Sequence, residues 1–167
     1  MNIVLIGMSG SGKSLIGRNL AMKLNYNFID VDDIIEQKTR MNLQDFIDKF
    51  GDEEFLKFEE KTILDLNVQN CVIAPGGSII YSQKAINHLK RNSIIIFLDI
   101  SLEVLKSRIK DVDKRGIVYL KRKSYEELFN ERLPLYKKYS DITLKIDDLN
   151  IEQIIKKIRQ SLKPYIQ

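Results

Sequence analysis

The stretch MNIVLIGMSGSGKS at residues 1–14 joins a short apolar run to a glycine-rich segment that ends in Lys-Ser. Residues 7–14 fit the pattern G-x-x-x-x-G-K-[ST] at every position, between a predicted strand at Val4–Ile6 and a predicted helix at Ser14–Leu24. Glycines let the backbone curl so that successive N–H groups face phosphate oxygens, and the helix adds its positive end. The stretch predicts a phosphate-binding loop, with Lys13 reaching the β- and γ-phosphates and Ser14 binding Mg²⁺.

Strands and helices alternate along the rest of the chain. Further strands are predicted at residues 26–32, 71–74, 93–100 and 141–146. Further helices are predicted at residues 34–38, 42–50, 52–66, 83–90, 102–109, 125–139 and 151–162. Such alternation is typical of a parallel sheet with helices on both faces, and we expect one domain over residues 1–167.

The composition of the chain argues against nucleic-acid and membrane partners. The net charge of +4 is small, and basic and acidic residues are interleaved, which argues against a nucleic-acid groove. No apolar run approaches the length of a membrane span, and the chain opens directly on a strand instead of a signal peptide. Cys71 is the single cysteine and His88 the single histidine, so a disulfide, a triad and a His/Cys metal site are not expected. We expect a cytoplasmic monomer without nucleic-acid or membrane partners.

Chain length and one missing motif favour a kinase among nucleotide-binding proteins. A regulatory GTPase should carry a base-reading N-K-x-D-type stretch after a middle strand, but the corresponding strand here runs into LDISLEV at residues 98–104. A motor or assembly ATPase usually needs a longer chain than 167 residues. A small kinase that occupies one domain fits best.

Acidic residues follow the second predicted strand, in FIDVDDIIE at residues 28–36. Ligands of open parallel sheets bind at this end of the strands. Strand alternation predicts that Asp30 and Asp32 face the same side, so that one can serve Mg²⁺ while the other accepts a proton from a substrate hydroxyl. The alternative is that these carboxylates cap the next helix, which we favour for Asp33.

Three further segments could hold an acceptor. Gly76 and Gly77 in VIAPGG allow close approach of main-chain N–H groups, although they also suit a plain turn. Arg132 in NERLPLY could grip a carboxylate in a bidentate fork, although a lone helix arginine is usually solvated. Residues 110–123, called here the lid segment, are rich in cations around Gly116. They could form a lid whose Arg115 folds over the phosphates, or a solvated basic loop.

Together these segments resemble the shikimate kinase family of P-loop proteins related to nucleoside-monophosphate kinases. GMSGSGKS resembles its Walker A loop, FIDVDDIIE its acidic motif, and VIAPGG its glycine-rich region. Lys114-Arg115 resembles its lid and ERLPLY its E-R-x-P-L-Y segment. The resemblance implies a three-layer α/β/α fold of the P-loop NTPase type, with a five-stranded parallel sheet, a lid and a substrate-binding helical region at about residues 33–62.

The resemblance also implies a reaction, namely phosphoryl transfer from ATP to the 3-hydroxyl of shikimate, with Mg²⁺ as cofactor. By this resemblance Asp32, Lys13 and Arg115 are catalytic, and Asp30 and Ser14 serve Mg²⁺. The nucleotide-binding residues would be Gly10, Ser11, Gly12, Lys13, Ser14, Leu15, Arg108 (on or near the adenine) and Arg115. The substrate-binding residues would be Asp32, Gly76, Gly77 and Arg132, the last of these on the carboxylate.

Departures from the family pattern keep two other functions open. In GDEEFLKFEE at residues 51–60, Leu56 stands where the family has an arginine that grips the carboxylate. Ser78 replaces a third glycine, and Gly116 replaces a lid proline. The chain could therefore phosphorylate a different hydroxy acid or polyol. It could also be a catalytically weak nucleotide-binding protein, although such a protein has no need for Lys13, Asp32 and Arg132 together.

Overall fold

The computed structural model describes residues 1–165. Its strands are β1 (Asn2–Ile6), β2 (Asn27–Asp30), β3 (Cys71–Ala74), β4 (Ser93–Asp99) and β5 (Ile142–Lys145). Its helices are α1 (Lys13–Leu24), α2 (Val31–Thr39), α3 (Leu43–Phe50), α4 (Asp52–Leu64), α5 (Gln83–Lys90), α6 (Leu102–Arg108), α7 (Tyr125–Tyr139) and α8 (Ile151–Leu162). Short 3₁₀ turns lie at Gly77–Tyr81 and Val112–Lys114.

The five strands form one parallel sheet in the order β2-β3-β1-β4-β5, as expected. Central strand β1 is buried at all five positions because it has a neighbour on each side and helices over both faces. Its Ile3 lies between Val72 of β3 and Ile94 of β4. The connection after β1 leads to β2 on one side of the sheet, whereas the connection after β3 leads to β4 on the other side. Because these connections run in opposite directions, a crevice opens at the carboxyl ends of β1 and β3.

Helices cover the sheet on both faces, which confirms the predicted three-layer α/β/α fold. Helix α1 packs on β1, β2 and β3 beside α8, whereas α5 and α7 pack on β4. Helices α2 and α3 pack on α4, at the end of the sheet where the glycine loop lies. None of the helices within residues 1–165 is both long and apolar enough to cross a lipid bilayer.

The boundary between β2 and α2 differs from the prediction. The strand ends at Asp30, not Asp32, because the Asp30 side chain accepts a hydrogen bond from the Asp32 N–H at 3.1 Å and thereby caps α2. The predicted cap, Asp33, is wrong. It lies in the first helical turn, exposed, with a carboxylate oxygen 3.5 Å from Arg18 Nη2.

Helix α7 matches the predicted bounds and contains Pro134. It begins at a capping box in which Ser124 and Glu127 exchange hydrogen bonds. Arg132 and Tyr136, four residues apart, share one face of this helix and are both buried. The capped helix therefore carries an arginine into the interior beside the crevice.

Candidate active site

The glycine loop joins β1 to α1 in a conformation that requires glycine. Gly10 and Gly12 have φ of +90° and +88°, and a Cβ at Gly10 would stand 2.7 Å from the Ile109 side chain. Helix α1 begins immediately afterwards at Lys13. The N–H groups of a first helical turn have no partners within the helix, so this loop and turn offer donors to an anion.

Lys13 folds back over the loop. Its Nζ donates to the carbonyl oxygens of Gly7 at 2.9 Å and Met8 at 3.0 Å. Burial lowers the pKa of Lys13 to about 8, against the opposing pull of Asp32 and Asp30. A phosphate in the loop would supply the missing negative charge and hold this ammonium protonated.

Ser14 and Asp30 present two oxygen donors side by side. The Ser14 hydroxyl donates to Asp30 Oδ2 at 2.5 Å, at the point where α1 faces the end of β2. Within the described residues, no group of three or more His, Cys, Asp and Glu side chains is arranged to hold a metal. A hydroxyl and a carboxylate fit Mg²⁺, which takes few protein ligands and completes its shell with phosphate oxygens and water.

Asp32 lies in the first turn of α2, so its side chain is oriented by a helix and not by the strand alternation that we predicted. Both Asp30 and Asp32 nevertheless line the same cleft. The Oδ1 atom of Asp32 is buried without a hydrogen-bond partner in residues 1–165. Burial, together with neighbouring Asp30, raises the pKa of Asp32 to about 6, a value suited to a general base near neutral pH.

Gly76 and Gly77, which follow β3, are surrounded by carboxylate and hydroxyl side chains. A Cβ at Gly76 would stand 2.6 Å from Glu59 Oε1 and 3.1 Å from Asp32 Oδ1. A Cβ at Gly77 would stand 3.1 Å from the Tyr136 hydroxyl. Tyr136 also donates to the Gly77 carbonyl at 2.6 Å, so the turn is held from behind and its open side faces the cleft.

Arg132 is buried, with 1% of its surface exposed, yet it reaches the cleft wall. Its Nη2 donates to the Val118 carbonyl at 2.8 Å and its Nε to the Tyr81 hydroxyl at 3.2 Å. The guanidinium also stands over the Tyr81 ring, 5.3 Å from its centroid. The alternative of a solvated helix arginine is therefore excluded.

The position of the missing arginine lies outside the cleft wall. On α4, Phe55 lines the cleft, whereas Leu56 is half-buried and packs against the core. Neighbouring Lys57 is exposed and bonded to Glu54 at 2.7 Å. Neither residue supplies a cation to the cleft.

The lid segment lies against α3 and α4. The Gly116 N–H donates to Gln44 Oε1 at 3.1 Å, and the Tyr119 N–H donates to Asp52 Oδ1 at 2.9 Å. The Tyr119 hydroxyl donates to Glu53 at 2.8 Å, and Lys121 lies 2.5 Å from Asp48. These contacts show a fastened segment, not the freely solvated loop that was the alternative.

One cleft of about 470 Å³ brings the predicted residues together at the carboxyl ends of β1 and β3. The residues that line it as predicted are Gly10, Gly12, Lys13, Ser14, Leu15, Asp30, Asp32, Gly76, Gly77, Arg108, Arg115 and Arg132. Ser11 lies beneath the loop, buried, and lines a neighbouring pocket that shares Gly12, Leu15 and Arg108 with the cleft.

Sequence reasoning missed the residues that orient Arg132 and the glycine turn. Tyr136 carries a usable signal, because it stands four residues after Arg132 on the same helix. Tyr81 and Val118 carry none, since they meet Arg132 across 51 and 14 residues of chain.

Comparison with known proteins agrees with this geometry. The family model described as shikimate kinase matches residues 9–163. A shikimate kinase of Vibrio cholerae is 36% identical over 168 residues, which cover 99% of this chain and 97% of the relative. The shikimate kinase of Aquifex aeolicus superposes with a TM-score of 0.84 at 34% identity, covering 99% and 98% of the two chains. That of Acinetobacter baumannii, solved in complex with shikimate, gives 0.88 at 27% identity, covering 98% and 93%.

Proposed function

Because this chain belongs to the shikimate kinase family, we propose that its cleft transfers the γ-phosphoryl group of ATP to the 3-hydroxyl of shikimate. The observation that carries the proposal is the meeting of Lys13, Asp32 and Arg132 in one cleft. A phosphate site, a proton acceptor and a carboxylate grip are the three elements that a kinase of a hydroxylated acid needs.

On the donor side, the glycine loop and the first turn of α1 hold the phosphates, and Lys13 exchanges its bonds to Gly7 and Met8 for phosphate oxygens. Leu15 is a large apolar residue with 56% of its surface exposed. It lies with Arg108 at the junction of the cleft and the neighbouring pocket, where both could cover the adenine ring. Ser14 and Asp30 would hold Mg²⁺, which would supply positive charge to offset that of the phosphates.

On the acceptor side, Asp32 accepts the proton of the attacking hydroxyl and orients that oxygen. Arg132 binds the acid group, and the N–H groups of the turn at Gly76 and Gly77 bind the ring substituents or carboxylate. Arg115 stabilises charge on the group in transfer. The lid segment excludes water, which would otherwise accept the phosphoryl group.

The region at residues 33–62 carries the acceptor side as α2, α3 and α4. Its contacts with the lid segment suggest that the two move together. The proposed enzyme is a cytoplasmic monomer without nucleic-acid or membrane partners. A second candidate, a kinase of another hydroxy acid or polyol, is favoured by one observation only, the apolar Leu56 where a second cation was expected.

Release of ADP from ATP and Mg²⁺ tests the proposal. The acceptor panel contains shikimate, the analogue that lacks the 3-hydroxyl, the methyl ester that lacks the negative charge, and a set of sugars and hydroxy acids. We expect turnover with shikimate, none with the deoxy analogue, and a strongly raised KM with the ester. Turnover of another acid in preference to shikimate would support the second candidate. Binding of ATP without turnover of any acceptor would contradict both.

A further inference from the structure

Glu59 is a carboxylic acid buried behind the glycine turn that lines the cleft, with 1% of its surface exposed. It lies on α4 and faces the turn that follows β3. Its Oε2 accepts a hydrogen bond from the Ser78 hydroxyl at 2.7 Å, whereas its Oε1 is buried without a hydrogen-bond partner in the described chain. No ion pair to Glu59 forms within residues 1–165.

Two departures from the family pattern meet at this carboxyl group. Leu56 precedes Glu59 by three residues on α4, so the two positions are neighbours on the helix surface. A cation at position 56 would be the ordinary partner for a buried carboxylate, and leucine supplies none. Ser78, which stands where a glycine was expected, supplies the hydroxyl that Glu59 does bind.

A second unpartnered oxygen lies close to that of Glu59. Glu59 Oε1 and Asp32 Oδ1 both lie within about 3.1 Å of the point where a Cβ of Gly76 would stand, and both lack a partner in the described residues. Ionised carboxylates are acceptors only, so two charged groups here would repel each other in a dry wall. A proton on one of them removes a charge and provides a donor.

We propose that Glu59 is a positioning residue that works in its neutral form. Its bond to Ser78 anchors the glycine turn to α4, and its carboxyl proton presents a donor near Asp32. The inference rests on the proposed function, because Asp32 and the glycine turn hold the acceptor. It assigns to Glu59 and Ser78 the positioning of the glycine turn relative to Asp32.

The charged groups around Glu59 agree with a neutral acid. They are Asp32 from α2, Arg132 from α7 and Lys13 from α1. Burial, followed by the charge of Asp32, raises the pKa of Glu59 to about 7, although Ser78, Arg132 and Lys13 act in the opposite direction. Glu59 therefore keeps its proton below about pH 7 and loses it above. Its ionisation then places a second negative charge beside the base.

The chain offers a matched pair of variants. Glu59→Gln keeps an acceptor for Ser78 and supplies a permanent donor in place of the carboxyl proton. Glu60→Gln is the control, because Glu60 is the next residue of α4 and accepts from the Ser82 hydroxyl at 2.6 Å, but it does not adjoin Asp32. The profile of kcat/KM for shikimate against pH is measured for both variants and for the unmodified enzyme.

We expect the profile of the unmodified enzyme and of Glu60→Gln to decline between about pH 7 and 8.5, and that of Glu59→Gln to lack this part of the decline. The kcat/KM of Glu59→Ala, which cannot bind Ser78, should be at least tenfold lower than that of Glu59→Gln. Superimposable profiles for Glu59→Gln and the unmodified enzyme, or equal losses in Glu59→Gln and Glu59→Ala, would overturn the inference.

A readout without turnover separates this inference from the proposed function. Infrared difference spectra of the ligand-free protein between pH 5.5 and 8.5 should show the loss of two protonated carboxyl bands, one near pH 6 from Asp32 and a second near pH 7 from Glu59. The second band should be absent from Glu59→Gln and present in Glu60→Gln. If the protein turns over no shikimate, the proposed function fails while the second band still tests the state of Glu59. If turnover is found and the second band is missing from the unmodified protein, the inference alone fails.

Discussion

Replacement of Gly116 by alanine should release the lid segment from α3. Gly116 has φ of +64°, and a Cβ there would stand 2.4 Å from Leu43 Cβ and 3.0 Å from the Gln44 nitrogen. Carbon atoms prefer to be about 3.5–4.0 Å apart, so the segment must retreat by about 1 Å or more. Both obstructing atoms belong to or adjoin the backbone of α3, which cannot rotate aside.

The size of the effect follows from two contributions. A residue with a Cβ in the left-handed region costs about 1–2 kcal/mol relative to glycine. Retreat of the segment also breaks the Gly116–Gln44 hydrogen bond, a loss of about 0.5–1.5 kcal/mol. Together they weaken docking of the segment by about 1.5–3.5 kcal/mol, which corresponds to a rise of roughly 10- to 350-fold in the population of the released form.

Limited trypsin digestion measures this population, because Lys114, Arg115 and Lys121 lie in the segment and cleavage tracks the opened form when opening is fast. Cleavage in Gly116→Ala should be roughly 10- to 350-fold faster, and kcat/KM should fall because Arg115 loses its support. The control is Gly51→Ala. Gly51 has φ of +88°, but a Cβ there meets no atom of the described chain within 4 Å, so stability should fall without faster cleavage of the segment. A cleavage rate of Gly116→Ala within twofold of the unmodified protein would refute the steric argument.

Three further predictions concern the acceptor side. Asp32→Asn should abolish turnover while ATP still binds. Folding raises the pKa of Asp32 from 3.8 to about 6, so the folded state binds this proton more tightly and the free energy of unfolding falls as pH rises through that range. In urea titrations the free energy of unfolding of the variant should therefore exceed that of the unmodified protein by up to about 3 kcal/mol at pH 8 and by little at pH 4. Equal increases at both pH values would contradict the assignment. Arg132→Lys should raise the KM for shikimate by roughly 30-fold or more with little change in the KM for ATP, since one point charge replaces a bidentate fork; parallel rises in both would indicate general damage. Leu56 itself does not line the cleft, but it adjoins Phe55, which does, and an arginine is longer than leucine. Leu56→Arg should therefore lower the KM for shikimate, and an unchanged value would show that position 56 does not reach the acid group.

The sheet and most helices could be predicted because their signals are local. Buried parallel strands read as continuous apolar runs, and the capping residues of α7 and α8 lie within three residues of each other. The boundary at Asp30 was missed because an apolar residue, Val31, continues the strand pattern into the first turn of α2. Only the hydrogen bond from the Asp32 N–H to Asp30 decides where the strand ends.

Within the candidate site too, residues in local motifs could be predicted from the sequence, whereas contacts set by tertiary packing could not. The glycine loop and Arg132 stand in recognisable motifs, so their placement in one cleft could be predicted. Whether Leu56 faces that cleft depends on the rotation of α4 about its axis, and this rotation is set by packing against α2, α3 and α5. The bond between Glu59 and Ser78 joins residues 19 positions apart, and no local pattern contains it.

The guanidinium of Arg132 has two hydrogen-bond partners within the protein, the Val118 carbonyl and the Tyr81 hydroxyl. These bonds use two of the five N–H donors of the guanidinium and fix its plane, so the remaining donors are oriented before a molecule binds. A carboxylate forms charge-assisted bonds to them that are about twice as strong as those of a neutral sugar hydroxyl. Discrimination against the abundant uncharged sugars of a cell would then need no steric barrier, because the oriented guanidinium favours an anion.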